Sequence, residues 1–217
     1  MVDLPLFPLN TVLFPGMPLP LHIFEPRYIK MIGECIEQGA PFGVVLIKRG
    51  AEALGPAAEP HAVGCTARIL RVERLPDGRM NIVAVGEDRF RILDLNHDED
   101  YLTGDVEIYP LTEEDPKDLR VASNRLRPWL KRYLKMLIDA KFVQGEMSQL
   151  PTDPVELAYM AAFLLQTPPR QKQPLLEQDH LSDLLVDISA IYRREIALLN
   201  GLISTRQDEG RGNPSLN

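Results

Sequence analysis

The opening stretch of the chain alternates apolar side chains with proline, and this pattern constrains the fold more than any other part of the sequence. Residues 4–24 read LPLFPLNTVLFPGMPLPLHIF. Because proline lacks a backbone N–H, it breaks helices and is confined within sheets to edges and bulges. The stretch therefore predicts short strands near 4–7 and 18–23 with a turn at 14–17. It also argues against a signal peptide, whose apolar segment would be uninterrupted.

The remainder of the first half predicts one helix among several strands. The helix should begin at Pro26 and end near Gln38, with Ile29, Ile32 and Ile36 on its buried side. Pro76-Asp77-Gly78 is typical of a hairpin turn, since proline presets φ and glycine accepts a positive φ. Short strands separated by such turns favour a closed or partly closed antiparallel barrel. The other strands are expected at 42–47, 63–75, 80–85, 90–95 and 102–109, with a loop at 50–60.

From residue 113 onward the sequence predicts helices. Asp115-Pro116 indicates one helix start, with a helix to about 142 that is interrupted or kinked near Pro128. Asp153 followed by Pro154 is a stronger start signal, because an aspartate N-cap precedes a proline in the first turn. A last helix should follow Asp179 and end at Gly201. We therefore expect an α+β fold with a barrel at 1–112, a C-terminal helical bundle at 113–205 and a disordered tail at 206–217.

The net charge of −7 is concentrated in the first half, where residues 1–112 carry −6. An acidic chain resists contact with phosphate backbones and anionic lipid, so nucleic acid is an unfavoured partner. A basic stretch in the second half is predicted to be a solvated face that docks on the acidic half, with contact to an acidic partner or nucleic acid as the alternative. It comprises Arg125, Arg127, Lys131, Arg132 and Lys135.

The sequence contains no signature of catalysis or of a cofactor. Neither the phosphate-binding string G-x-x-x-x-G-K-[ST] nor a G-x-G-x-x-G occurs. The histidines are isolated, and the run 96–100 (NHDED) is interpreted as a solvated acidic loop rather than a cation site. Cys35 and Cys65 are expected to be packed, reduced thiols. We predict no enzyme activity, no metal and no cofactor, with a cysteine-dependent hydrolase as a minor alternative.

Three ordered blocks of residues resemble one known family. The opening LPLFPL…LFPG…LPLHIFEPRY is similar to the N-terminal substrate-recognition domain of Lon ATP-dependent proteases. VGCTARI at 63–69, LPDGR at 75–79 and VG…RFRI at 85–92 resemble the family's second block. KQ…LLE at 172–177 resembles the segment before its last helix. The resemblance covers about residues 3–203.

This resemblance implies a PUA-like antiparallel β-pseudobarrel with one inserted helix, followed by a helical bundle. It also implies a non-catalytic, protein- or peptide-binding module without the ATPase and protease domains of full-length Lon. Phe7, Phe14 and Phe24 are expected to fill the barrel. Glu25, Arg27 and Arg89 are predicted to form a structural ion pair, with Glu25 holding Arg89 or Arg27, or alternatively to contact a partner.

The predicted function is recognition of unfolded or exposed hydrophobic polypeptide, or of a protease or chaperone partner. Two alternatives differ in class: a nucleic-acid-binding PUA-like module, which would need a continuous basic groove, and the cysteine-dependent hydrolase. The longest apolar run, 158–165, is far below the roughly 20 residues of a membrane span. We therefore expect a soluble bacterial protein of the cytoplasm.

Overall fold

The structure, a computed structural model, describes residues 2–50, 59–139 and 149–211, and the side chains of 3–50, 59–139 and 149–201. The described residues form strands and helices in a mixed fold, as the sequence predicts. The strands are β1 Val2–Leu9, β2 Pro18–Ile23, β3 Phe42–Arg49, β4 Glu59–Pro60, β5 Val63–Arg74, β6 Met80–Asn96 and β7 Thr103–Ile108. The helices are α1 Pro26–Gln38, α2 Pro116–Asp139, α3 Pro154–Leu164, α4 Pro169–Leu176 and α5 Leu181–Arg211.

The strand pairings run in a closed cycle. β1 pairs with β7, β7 with β6, β6 with β5, β5 with β3, and β3 returns to β1. All of these pairs are antiparallel except β1–β3, which is parallel and aligns Phe7 with Val44. The expectation of a purely antiparallel arrangement is therefore wrong at this pair. β2 adds to the cycle by pairing with β6 from Pro18 to Ile23.

The hairpin between β5 and β6 turns where the sequence predicts. Gly78 has a φ of 86°, and the backbone N–H of Gly78 bonds to the carbonyl of Leu75 at 3.0 Å. β6 then continues through Gly86 as one strand, although two separate strands were predicted. The lack of a side chain at Gly86 lets the backbone of Phe14 approach β6 closely, because a Cβ there would lie 2.4 Å from the carbonyl oxygen of Phe14.

Helix α1 packs its apolar side on the interior of the strands. Pro26 occupies the first turn as predicted, and Tyr28, Met31 and Ile32 are buried in one cluster with Phe7. The rings of Phe7 and Tyr28 stack with centroids 4.1 Å apart. This cluster is the main hydrophobic core formed by α1 and the strands, and it also includes Phe42, Cys65, Met80 and Ile82.

The structure confirms the predicted start of α3 and corrects the predicted end of α5. The side chain of Asp153 accepts bonds from the N–H groups of Val155 and Glu156, both at 2.9 Å, so it is the predicted N-cap of α3. α2 continues through Pro128, so the helix is not interrupted there, and the predicted kink stays a prediction. α5 does not end at Gly201 but continues to Arg211. Most of the loop predicted at 50–60 and the last part of the predicted tail, 212–217, lie outside the described residues.

The chain divides into two compact units. One comprises Met1–Glu113 and Tyr159–His180, and the other comprises Glu114–Ala158 and Leu181–Asn217. The division predicted from sequence, with a single boundary at residue 113, stays a prediction; the compact units assign residues 159–180 to the strand-rich part. Among the described residues, no helix has the length and apolar character that a membrane crossing requires.

Candidate functional site

We call the side of β2, β6 and β5 that faces away from the core the outer face. It forms a shallow hollow. Because side chains alternate along a strand, Pro18, Pro20 and His22 of β2 share this side. On β6, the core side is buried at Met80, Ile82 and Ala84, and the outer side carries Asn81, Val83 and Val85. The register places Pro20 beside Val83 and Val83 beside Arg71. The hollow has a volume of about 450 Å³, and Pro20, His22, Arg71, Glu73, Asn81 and Val83 line it.

A row of polar side chains crosses the three strands at one end of this hollow. The neutral tautomer of His22 with its proton on Nδ1 satisfies two contacts at once. Nδ1 donates to Oδ1 of Asn81 at 2.7 Å, and Nε2 accepts from Nη1 of Arg79 at 3.4 Å. Nδ2 of Asn81 in turn donates to Oε2 of Glu73 at 3.1 Å. Each member of the row is thus oriented by its neighbour, which fixes the edge of the apolar centre.

Phe24 adds an exposed aromatic side chain directly after β2. It is 51% exposed, and its ring stacks on that of His22 with centroids 6.0 Å apart. The expectation that Phe24 fills the barrel is therefore wrong, whereas Phe7 and Phe14 are buried as predicted. β2 ends at Ile23, so the alternation that buries Ile23 leaves the next side chain pointing outward. Phe24 thus adds exposed apolar surface beside the hollow, and contiguous exposed apolar surface is typical of binding sites.

The structure brings two of the three predicted site residues together. Nε of Arg27 donates to Oε2 of Glu25 at 2.9 Å, and the carboxylate lies at the start of α1. The guanidinium of Arg27 also lies 4.6 Å from the centre of the Tyr28 ring. This pair immediately follows Phe24 in the chain. Its assignment as a structural pair or as a partner contact stays a prediction.

Arg89 makes its contacts elsewhere, at the C-terminal end of α4. It is only 3% exposed, and Nη1 donates to the carbonyl oxygens of Leu176 at 2.7 Å and Gln178 at 2.6 Å. Its guanidinium lies 4.7 Å from the centre of the Tyr109 ring. The C-terminal end of a helix carries a partial negative charge, which stabilises a nearby cation. The carbonyl oxygens at the end of α4 therefore accept the hydrogen bonds that a carboxylate would accept in an ion pair. Through these hydrogen bonds Arg89 connects β6 to residues 176–178.

Gln173, from the third block of the resemblance, makes a second connection of this kind. Its Nε2 donates to the carbonyl oxygen of Val63 at 3.0 Å and to Oε1 of Glu177 at 2.8 Å. The same carboxylate lies 3.6 Å from Nδ1 of His61. Gln173 is buried, so these contacts hold α4 against β5. Within this block, Gln173 therefore contributes contacts that stabilise the strand-rich unit.

Neither cysteine has the properties of a nucleophile. Both are buried free thiols. Burial, with a smaller effect of Glu34, raises the pKa of Cys35 to about 11, and burial raises the pKa of Cys65 still further. The reactive species is the thiolate, which such pKa values suppress at neutral pH. The geometry gives the cysteine-dependent hydrolase no support.

The acidic run at 96–100 has partners within the protein. Oδ1 of Asn96 accepts the N–H of Asp98 at 2.8 Å, and Glu99 and Asp100 lie 2.9 and 3.6 Å from Nζ of Lys30. No group of three or more His, Cys, Asp or Glu side chains in the described part of the chain is arranged to hold a metal ion. These contacts agree with the interpretation of this run as a solvated loop.

Comparison with known proteins agrees with the resemblance. Residues 3–193 match the family model described as the ATP-dependent protease La (LON) substrate-binding domain. The Lon protease 1 of Hydrogenovibrio crunogenus is 28% identical over 216 residues, which are 96% of this chain and 26% of that protein. The Lon protease 2 of Myxococcus xanthus is 27% identical over 199 residues, 91% of this chain and 23% of that protein. The chain thus spans about a quarter of the length of these relatives.

Solved structures agree in fold. The crystal structure of a Lon N-terminal domain protein from Xanthomonas campestris has a TM-score of 0.61 and 25% identity, and it aligns over 88% of this chain and 98% of that one. The N-terminal domain of the Mycobacterium avium complex Lon protease has a TM-score of 0.62 at 20% identity and aligns over 87% and 98%. The molecule is thus a mixed α/β domain of the kind found at the N-terminus of these proteases. It belongs to the LON substrate-binding domain family.

Sequence reasoning located the strands of the outer face but not the face itself. The alternation of Pro18, Pro20 and His22 with Leu19 and Leu21 was visible in the sequence. Which of the two sides meets the core depends on the register of β2 against β6, and this register is a tertiary property. The proline side could have been selected as the exposed one, because prolines are common on exposed sheet edges.

Proposed function

We propose that this domain binds polypeptide without catalysing a reaction on it, and that the outer face of β2, β6 and β5 is the binding surface. The observation that carries the proposal is the match of residues 3–193 to a substrate-binding family model. The relatives named for protease activity extend far beyond the matched part, so the proposal for this chain is limited to binding.

The chemistry of the outer face supports an extended apolar segment as its ligand. Its centre consists of Pro18, Pro20, Val83 and Val85, and Phe24 stands at one end. Apolar contacts are non-directional, so such a surface accepts many sequences. The polar row from His22 to Glu73 offers hydrogen bonds to a peptide backbone, which every polypeptide possesses. The expected partner is therefore an unfolded or exposed hydrophobic segment.

Finer features of the prediction belong to this proposal as well. We infer that the strand cycle is a PUA-like pseudobarrel, that the later helices form a bundle, and that the bound polypeptide passes to a protease or chaperone partner. A reducing compartment such as the cytoplasm would preserve the two free thiols. The near-complete alignment to Lon N-terminal domains supports the first inference.

The test measures peptide binding to the outer face by fluorescence anisotropy. The probe is a fluorescein-labelled neutral peptide rich in Leu and Val, compared with a second peptide that has Ser in their place. We expect the parent protein to bind only the apolar peptide. Phe24→Ala should weaken this binding about tenfold, or about 1.4 kcal/mol, because it removes roughly half of a phenylalanine surface from the interface.

Leu93→Ala is the matched control, because Leu93 is 49% exposed and lies on the distant part of β6. It should bind the apolar peptide as the parent does. Equal binding of both peptides by the parent, or no binding at all, would contradict the proposed function. Parental affinity in Phe24→Ala would contradict the proposed surface while leaving the function intact.

A further inference from the structure

Helix α2 presents a continuous basic surface, which we call the α2 outer face. Positions 117, 121, 124, 128, 131 and 135 recur at spacings of three and four, so they lie along one side of the helix. All six are exposed. They are Lys117, Val121, Asn124, Pro128, Lys131 and Lys135, and the exposed cations Arg120, Arg125 and Arg132 flank them. At 1.5 Å per residue this surface is about 27 Å long.

The opposite side of α2 shows why this surface cannot turn inward. Ser123, Leu126, Leu130, Tyr133 and Leu137 are buried, and α2 packs against α5 through the edge-to-face pair of Tyr133 and Tyr192, whose centroids are 4.8 Å apart. The helix is therefore held in rotation about its axis. The basic side is fixed toward solvent within its compact unit.

The cations of the α2 outer face have no carboxylate partner among the described residues. Some exposed cations elsewhere are paired: Lys30 with Glu99, Lys48 with Glu59, and Arg79 with Asp77, at 2.9, 3.0 and 2.5 Å. Arg120, Arg125, Lys131, Arg132 and Lys135 form no such ion pair in the part of the chain that the structure describes. Among the residues whose side chains the structure describes, the densest run of cations is thus without a carboxylate partner.

The spacing of the basic residues along α2 also causes repulsion between like charges. Lys131 has Arg127 four residues before it and Lys135 four residues after it, so two like-charged pairs face each other. Such pairs destabilise a helix by a few tenths of a kcal/mol each. α2 contains seven basic and two acidic residues, a net charge of +5. An acidic partner on this side would remove repulsion that the isolated helix tolerates.

We propose that the α2 outer face is a docking surface for acidic, amphipathic polypeptide segments. The charge of the face selects carboxylates. Val121 is 49% exposed and Pro128 is exposed on the same side, between the cations. These apolar groups match the apolar side chains of a polypeptide, whereas a phosphate backbone has none to offer. The net charge of −7 also works against a long polyanion such as duplex DNA.

This surface goes beyond the proposed function in kind of ligand and in location. The outer face of β2, β6 and β5 belongs to the other compact unit and suits neutral apolar segments. The inference rests on the proposed function only in that both surfaces take polypeptide. Two peptides of different chemistry therefore test them separately.

The test compares the full-length parent with the double variant Arg125→Gln/Arg132→Gln. Glutamine has a helix propensity close to that of arginine, so α2 should be retained, and circular dichroism checks this. The probe is a fluorescein-labelled peptide in which Glu alternates with Leu and Gly, and its twin carries Lys in place of Glu. We expect the parent to bind only the acidic peptide, and binding should weaken between about 0.05 M and about 0.3 M ionic strength. The double variant should bind it about fivefold more weakly.

Arg74→Gln/Arg170→Gln is the matched control, because both arginines are exposed and lie outside the two surfaces. It should bind the acidic peptide as the parent does. Equal affinity of the parent for the acidic and basic peptides would overturn the proposal, and so would unchanged affinity in the α2 variant. A labelled DNA duplex is titrated in parallel. If the α2 variant lost affinity for the duplex but not for the acidic peptide, the surface would be assigned to nucleic acid instead. Loss of the neutral peptide in Phe24→Ala, measured in parallel, keeps the two surfaces distinguishable.

Discussion

At the scale of single residues, Arg89 is a buried charge that carbonyl oxygens compensate only in part, because its Nε and Nη2 are buried without a hydrogen-bond partner among the described residues. Two carbonyl oxygens at the end of α4 accept bonds from Nη1, and the face of Tyr109 covers the guanidinium. Tyr109 is itself fixed, because its hydroxyl donates to the side chain of Asp179. A charged donor with neutral acceptors at a helix C-terminus makes stronger hydrogen bonds than a neutral donor would. These contacts favour a structural role for Arg89, and its assignment as a structural residue or as a partner contact stays a prediction.

Replacement of Arg89 should destabilise the protein strongly. Arg89→Met keeps most of the side-chain volume but leaves the carbonyls of Leu176 and Gln178 without this donor. We expect a loss of about 2–4 kcal/mol in the free energy of unfolding, measured by urea titration. Arg91→Met is the control, because Arg91 lies 4.0 Å from the same Tyr109 ring but is less buried. A cost for Arg89→Met no larger than that for Arg91→Met would contradict this account.

At the scale of elements, Lys172 of α4 makes a hydrogen bond at the C-terminal end of α3. Its Nζ donates at 2.8 Å to the carbonyl oxygen of Phe163, which lies in the last turn of α3. Burial lowers the pKa of this amine to about 8, because the desolvated environment disfavours its charge. The contact between α3 and α4 therefore depends on pH in a range where an ordinary lysine does not titrate.

The direction of this pH dependence follows from linkage. The folded pKa, about 8, is below the ordinary value of 10.5, so the charged amine opposes folding below pH 8. This penalty is lost as the pH rises from about 8 toward 10.5. Lys172→Met has no titrating group, so its stability relative to the parent should fall over that interval. Urea titrations at several pH values measure the difference, and a difference that stays constant with pH would refute the assignment.

The elements also show what could be predicted from sequence and why the rest could not. Asp153 and Pro154 define the start of α3 by local chemistry alone, and the structure has the same cap. The requirement for glycine at position 86 arises from the distant backbone of Phe14, which no local pattern reveals. Phe24 was assigned to the core by its hydrophobicity, but its side is decided by the register between β2 and β6. Likewise, the pairing of Arg89 with a helix end required the tertiary fold.

At the scale of the whole molecule, the two proposed binding surfaces differ in character. The strand-rich unit presents a hollow in which Pro20 and Val83 lie beside polar side chains, and α2 in the other unit presents a basic face. Both cysteines are buried in the strand-rich unit, where their raised pKa values leave them unreactive. Membership of the LON substrate-binding domain family agrees with a molecule organised for recognition. We propose that the outer face of β2, β6 and β5 is the surface that receives apolar polypeptide.

Amide chemical-shift mapping during titration with the neutral apolar peptide tests this claim most directly. The account predicts that the largest shifts fall on residues 18–24, 68–73 and 81–85, and that the amides of α2 shift little. The measurement needs no variant, so it separates the location of binding from effects on stability. Saturable binding with its largest shifts outside those three segments, or no shifts at any peptide concentration, would contradict it.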